Sequence, residues 1–277
     1  MPYETPEVCK KNKAEYDQSA LAYEKWSQTS VLMQHHSYYS IFNELKRDGI
    51  EGKTYLEVGC GPCPIGRKLV ELGAKKIYGA DISDDTIQTA RASLEKDGLA
   101  DKFELFVADM FDETFELPEK VDCAVMTYAI TTFIDSEEML TKFFKACRRL
   151  IKDDGYLFIA EFNFTIQPCD DWFFEMYVKS KTPDNPGGWP KEFEPYNFYI
   201  CTAPDVDYVM YHIPANTMMK SGMAAGFDRM EYRRMYPNPT FKDHPMMVRF
   251  LGKSGCDAPD YILKLWMHRH ENGQTYP

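Results

Sequence analysis

Several features are scarce in this 277-residue chain. No run approaches about 18 consecutive apolar residues, so no membrane-spanning helix is expected. The opening MPYETPEVCKKNKAEYD lacks the apolar core of a secretory signal. Positive charge is short: 32 Lys and Arg stand against 43 Asp and Glu, leaving −11. A nucleic-acid binder needs a basic face against phosphate, so none is expected here. The six histidines fall at no paired ligand spacing with a second His or Cys cluster, and no metal site is expected. Internal repeats, low-complexity tracts and charged tails are missing too. The eight cysteines are scattered through the chain, which predicts reduced thiols in a cytoplasmic protein.

What remains is an apolar, aromatic chain: 44% hydrophobic and 14% aromatic residues argue against disorder. Residues 12–49 read as two helices broken near Ser27–Ser30. An alternation follows. Strands are predicted at Thr54–Val58, Lys76–Ile82, Phe103–Ala108, Val121–Tyr128 and Tyr156–Phe162, the last after a turn at Asp153-Asp154-Gly155. Helices are predicted at Ile65–Leu72, Asp84–Lys96 and Ser136–Leu150, with Ser83 and Ser136 as caps and acids in the first turns. Such alternation gives a doubly wound, mostly parallel α/β sheet.

Regularity stops near residue 163. Residues 165–213 are rich in Pro, Gly and large rings, among them Trp172, Tyr177, Trp189, Tyr199 and Tyr211. They read as an aromatic lid insertion, with a hairpin at Tyr196–Thr202 and Tyr208–Ile213. A helix at Thr217–Ala225 and strands at Phe227–Tyr236 and Asp260–Met267 then bring the sheet to seven strands. The expected division is a helical cap at 1–50, an α/β core at 51–164, a lid at 165–213 and completion of the core at 214–277.

The segment Leu56-Glu57-Val58-Gly59-Cys60-Gly61-Pro62-Cys63 runs from a strand through a glycine turn into a helix. Gly59 and Gly61 permit a tight turn and close backbone approach to a ligand. The helix start offers free amides to an anionic group. Asp81 ends the second strand, where an acid can grip ribose hydroxyls. Asp109 ends the third strand in Ala108-Asp109-Met110, where a carboxylate can accept from an adenine amino group. Both acids fall at the carboxyl edge of the sheet, where ligands bind in such folds.

These three elements, in this order, resemble the class I S-adenosylmethionine-dependent methyltransferases across roughly residues 52–162. Leu56–Gly61 looks like motif I, with Glu57 at its acidic position. Ile77–Ser83, containing Asp81 and Ile82, looks like the ribose motif, and Ala108–Met110 like the adenine motif. The segment Tyr16–Trp26 is similar to the start of small-molecule methyltransferases of the toxoflavin synthase type, where a tyrosine closes over the methionine end of the cofactor. Tyr23 matches best and Tyr16 second.

The resemblance implies a Rossmann-like sheet and S-adenosyl-L-methionine as cofactor. It implies Tyr16, Tyr23, Glu57, Gly59, Cys60, Gly61, Asp81, Ile82, Asp109, Met110 and Tyr128 as cofactor residues. Its partners would be a small-molecule methyl acceptor, without nucleic acid or membrane, for a monomer or homodimer. The aromatic lid suits an apolar, planar or cationic acceptor, with Trp172, Tyr177, Trp189, Tyr199 and Tyr211 as its residues. A hydroxyl acceptor would benefit from a base, for which Tyr128, Glu161 and His212 are candidates.

Where the family usually continues with a small residue, this chain has Pro62-Cys63-Pro64, which removes an amide. The same departure writes Cys60-Gly61-Pro62-Cys63, the tetrapeptide of a thioredoxin active site. A disulfide oxidoreductase using Cys60 and Cys63 therefore stays as an alternative, and separately a cofactor-binding pseudoenzyme or structural subunit. A nicotinamide dehydrogenase fits less well, since the glycines at 59, 61 and 66 miss its spacing. No paired aspartates follow strand four, as an aminopropyltransferase would require. Nor does Met126-Thr127-Tyr128-Ala129 carry the carboxylate of a metal-dependent O-methyltransferase or an Asx-Pro-Pro-aromatic turn.

Overall fold

The computed structural model describes residues 4–162, 171–173, 176–180, 191–200, 203–245, 247–248 and 260–266. Helix α1 spans Glu7–Thr29 and α2 spans Tyr38–Arg47. Then follow β1 (Thr54–Val58), α3 (Pro64–Glu71), β2 (Lys76–Asp81), α4 (Asp84–Lys96), β3 (Phe103–Val107) and β4 (Val121–Thr127). After them come α5 (Ile130–Phe133), α6 (Glu137–Leu150) and β5 (Ile151–Phe162). Strands β6 (Asp171–Phe173), β7 (Met176–Ser180), β8 (Pro195–Ile200) and β9 (Ala203–Tyr211) precede α7 (Ala215–Ala224), β10 (Arg229–Arg234) and β11 (Asp260–Trp266).

The caps follow local chemistry. The Ser83 hydroxyl accepts from the Thr86 amide at 3.1 Å to start α4, with Asp84 and Asp85 in the first turn. Ser136 accepts from Met139 at 3.4 Å to start α6. Pro64 opens α3, where its missing N–H costs nothing.

Among the described residues the large sheet runs β10-β11-β5-β4-β1-β2-β3. Its pairs are parallel except at β11, which is antiparallel to both β5 and β10. This is the Rossmann-like seven-stranded sheet that the alternation predicts. Successive residues of each central strand face opposite layers. Tyr55, Ile77, Val125 and Phe158 pack with Ile41, Leu45, Ile65 and Leu69 on one side. Leu56, Tyr78, Ala124 and Leu157 pack with Leu140, Phe143 and Phe144 on the other. Each such fully buried side chain contributes about 1.5–3 kcal/mol.

Four features differ from the sequence-based expectation. Asp153-Asp154-Gly155 is not a turn; it lies inside β5, where the register slips between the pairs Val121–Ile151 and Cys123–Tyr156 and the surplus residues bulge out. Between the two N-terminal helices, Met33–Ser37 form a π-turn. A short helix, α5, follows Tyr128 directly. The predicted hairpin is part of a separate four-stranded antiparallel sheet, β6-β7-β8-β9, in which β9 begins at Ala203. Strand β9 packs against α1 and α5.

Candidate functional site

The chain leaves β1 on one side toward β2 and β3 and returns on the other at β4. At that switch point the strand ends splay apart and open a crevice. The turn after β1 forms its floor. Gly59 and Gly61 sit at φ 62° and 49°, and Cys63 at 59°. A side chain is disfavoured at such angles, and glycine meets the first two without a Cβ penalty. At Gly61 a Cβ would point into open space. The Cys60 amide donates to Ala80 O at 3.1 Å, and the Cys63 amide to Cys60 O at 2.8 Å, which closes the turn.

Asp81 braces this turn from the end of β2. Its carboxylate accepts from the Gly61 amide and from the Ser83 amide, both at 2.9 Å. Burial raises its pKa above the ordinary range, and the Asp17 carboxylate raises it further, against those two amide bonds. Asp109 accepts from the Phe111 amide at 2.9 Å and so fixes the turn after β3. The resulting cavity holds about 1040 Å³ of space, its mouth included. Its walls are Gly59, Gly61 and Pro62; Asp81 to Ser83; Ala108 to Phe111; Thr127 to Ala129 with Thr132 and Phe133; and Cys9 and Lys13 of α1.

Glu57 and Cys60 stand outside that lining. The buried Glu57 carboxylate accepts from the Ile65 amide at 3.2 Å and the Gly66 amide at 2.8 Å, holding the start of α3. Burial pushes its pKa up to about 8 despite those bonds. It shapes the turn from beneath and makes no part of the cavity wall.

Residues 56–155 match the methyltransferase domain family. Those residues are a methyltransferase domain by this match. A ubiquinone biosynthesis O-methyltransferase from Pseudomonas paraeruginosa is 27% identical over 150 residues, covering 52% of this chain and 60% of that protein. A protein arginine N-methyltransferase 2 from Dictyostelium discoideum is 27% identical over 143 residues, 51% of this chain and 27% of that one. This chain thus spans less than two thirds of the length of either relative. The crystal structure of an S-adenosylmethionine-dependent methyltransferase from Clostridium acetobutylicum superposes over 94% of this chain and 99% of that one, with a TM-score of 0.57 at 15% identity.

Within the methyltransferase domain, Gly59, Gly61, Asp81, Ile82, Asp109, Met110 and Tyr128 converge on the cavity. Tyr128 closes β4 at φ 53°, a left-handed position that costs a residue with a side chain about 1–3 kcal/mol. Its amide donates to Ala160 O at 2.9 Å.

The other two candidate bases are not brought there. Glu161 is next to last in β5, two strands from β1, buried beside Tyr196 and Tyr261, whose pKa values its charge helps burial to raise. His212 follows β9, with its amide donating to Glu194 O at 3.0 Å. Burial lowers the His212 pKa, against the carboxylates of Glu192 and Glu194. Tyr211 shares a groove with Glu7, Lys10 and Lys11 near the start of α1. Tyr16 and Tyr23 lie on α1, and Trp172, Tyr177 and Tyr199 on β6, β7 and β8; their side chains fall outside the described residues, as does Trp189 entirely.

Sequence reasoning missed Cys9, Lys13 and Asp17. Lys13 Nζ donates to Asp17 Oδ2 at 2.6 Å, and the Ser83 hydroxyl donates to Asp17 Oδ1. The signal was an i, i+4 spacing of Cys9, Lys13 and Asp17 along one helix, with nothing local to show what that face meets. No group of three His, Cys, Asp or Glu suited to a metal occurs among the described residues. No described helix is long and apolar enough to cross a membrane.

Proposed function

We propose that this chain binds S-adenosylmethionine in the switch-point cavity and catalyses transfer of its methyl group to a nitrogen, oxygen or sulfur of a small, aromatic or amine-bearing molecule. The observation that carries the reading is the Asp81 carboxylate, fixed by two backbone amides on the wall of a cavity floored by the Gly59–Gly61 turn. The residues present suit the cofactor. Asp81 offers acceptors to ribose hydroxyls, and Asp109 offers one to an adenine amino group. The turn leaves room for the methionine end, since a Cβ at Gly61 would meet nothing within 4 Å.

The bound sulfonium supplies the activated methyl group. The protein's contribution is alignment, which removes up to about 7–11 kcal/mol of barrier in well-oriented reactions. Of the three candidate bases, Tyr128 alone lines the cavity, but its phenol donates to Ser37, so none of the three is retained as base for a hydroxyl acceptor. The formal charge of −11 favours a small acceptor over an anionic polymer. The β6–β9 sheet and its flanking residues, 165–213, are taken as the acceptor-side cover, with Trp172, Tyr177, Trp189, Tyr199 and Tyr211 as candidate contacts. The work would take place in the reducing cytoplasm, as a monomer or homodimer.

Calorimetry with S-adenosylmethionine tests the reading. Asp81→Ala should weaken binding by about 1.5–3 kcal/mol, the range for a hydrogen bond to a charged group. Mass-shift screening of amines, phenols and thiols then seeks the acceptor. Absence of cofactor binding by the wild-type chain overturns the reading. Binding without turnover on any acceptor points to a cofactor-binding chain that is not an enzyme.

A further inference from the structure

A hydroxyl pair joins the cavity wall to the helices outside the sheet. The Tyr128 phenol donates to Ser37 Oγ at 2.6 Å and lies 3.6 Å from Met235 Sδ. Ser37, 1% exposed, is the last residue of the π-turn Met33–Ser37. A π-turn holds one residue more than an α-turn, which rotates the following positions by about 100°. Such turns recur at functional sites.

This turn is clamped from outside by the segment after β10. Ser40 Oγ donates to Tyr236 O and accepts from the Tyr236 amide, both at 2.8 Å. The Asn238 amide donates to His35 O at 2.6 Å, and the His35 ring stacks on Phe241 with centroids 3.4 Å apart. Residues 33–40 and 235–241 thus form a stiff backing for one phenol oxygen. The other end of the same residue is equally fixed: a left-handed backbone whose amide is held by Ala160 O. A strained residue persists only where its surroundings over-determine it, and such residues cluster at active sites.

We propose that Ser37 is a positioning residue for methyl transfer. Its hydroxyl holds the Tyr128 ring on the cavity wall beside the Gly59–Pro62 turn, so that the ring meets the sulfonium end of the cofactor. The inference rests on the S-adenosylmethionine reading of the cavity. An aromatic ring attracts a cation and loses that attraction with a neutral ligand. The sulfonium of S-adenosylmethionine is cationic, whereas the thioether of S-adenosylhomocysteine is neutral. A displaced ring therefore lowers affinity for the first ligand more than for the second, which a general loss of structure would not do.

The test is calorimetry of both ligands with the full chain, wild type and the variants Ser37→Ala, Ser37→Thr, Tyr128→Phe and the Ser37→Ala/Tyr128→Phe double. Ser37→Ala and Tyr128→Phe are each expected to lower S-adenosylmethionine affinity about three- to tenfold and S-adenosylhomocysteine affinity by less than about twofold. The double variant should be no worse than either single, since both remove one bond. Ser37→Thr, which keeps the hydroxyl, should bind like wild type. Equal losses for the two ligands, additive losses in the double, or a threonine variant no better than alanine would overturn the assignment. If Ser37→Ala does not fold, Tyr128→Phe and Ser37→Thr still decide it by the same two-ligand comparison. A wild type that binds neither ligand overturns the cavity reading as well; a wild type that binds both beside an unaffected Ser37→Ala overturns this inference alone.

Discussion

Asp17 of α1 accepts a hydrogen bond from the Ser83 hydroxyl, and that contact ties the N-terminal helix to the strand end that carries Asp81. The same hydroxyl accepts from the Thr86 amide to cap α4, so both its roles are filled. Cys9 and Lys13 of α1 line the cavity. Among the described side chains of this helix, Cys9 and Trp26 alone are buried. The Asp17–Ser83 bond adds a polar latch to these contacts.

Asp17→Ala should therefore loosen α1 without harming the sheet. Loss of a hydrogen bond to a charged group costs about 1.5–3 kcal/mol. The lower end suits this partly exposed carboxylate and corresponds to about tenfold faster local opening. Hydrogen exchange over residues 7–29 checks it, with β1 and β4 as unchanged references. Protection unaltered in Asp17→Ala would show that the latch does not hold the helix.

Glu57 gives a pH prediction. Its carboxyl, near 4.5 in the unfolded chain, is pushed up to about 8 by burial, against the Gly66 and Ile65 amides. Between those values the folded chain holds a proton that the unfolded chain has released, so stability falls as pH rises through this window and levels off above about 8. Glu57→Gln has nothing to titrate there. Its melting temperature relative to wild type should rise steadily from pH 5 to pH 8 and then stay flat. His35 and His212, whose pKa values burial lowers, are common to both proteins and cancel in the difference. A pH-independent difference would mean that the buried carboxyl titrates as in water.

Gly66→Ala sets two effects against each other. Alanine inside a helix gains up to about 1 kcal/mol over glycine. Here the new Cβ would stand 2.8 Å from Glu57 Oε2, from Ile77 Cγ2 and from Phe103 Cε1. Overpacking of this kind costs about 1–3 kcal/mol, and three fixed neighbours on three strands leave no easy escape. The variant should be less stable in urea unfolding. Equal or greater stability would show that the β1–α3 packing yields more readily than its distances imply.

The residues that were legible in the sequence are those whose role is local. Gly59, Gly61 and Ser83 announce a turn and a cap by residue type, and Asp81 and Asp109 announce strand ends by period. Glu161 satisfied the same strand-end rule and still lies away from the cavity, because chain order does not say which strand neighbours the switch point. Strand β4 stands between β1 and β5. Asp153-Asp154-Gly155 has turn chemistry but is absorbed by a bulge whose cause is pairing with β4. Cys9, Lys13 and the Ser37–Tyr128 bond depend on how helices distant in the chain dock on the sheet. No local signal encodes that.

The thiols of Cys60 and Cys63 offer the last prediction, and it separates the cavity reading from the oxidoreductase alternative. The motif Cys60-Gly61-Pro62-Cys63 brings two thiols together at a helix start, a setting that activates cysteine when a thiolate is favoured there. Here both side chains are at most 1% exposed. The Cys60 pKa is raised well above the ordinary value, by the hydrogen bond it shares with Cys63 and by burial. For Cys63 that shared bond pulls down, but burial and the Glu57 charge outweigh it and the net shift is upward. Cys9, on the cavity wall, is pushed up to about 12 by burial beside Asp109 and Asp135. All three thiols stay protonated at pH 8 and shielded from reagent. Iodoacetamide should therefore label them in native protein far more slowly than in urea, by at least about a hundredfold if labelling requires local opening worth about 3 kcal/mol or more. Peptide mapping after timed quenching gives the rate for each cysteine. Rapid native labelling of Cys60 or Cys63, together with reduction of insulin disulfides by the reduced protein, would revive a redox role for this turn.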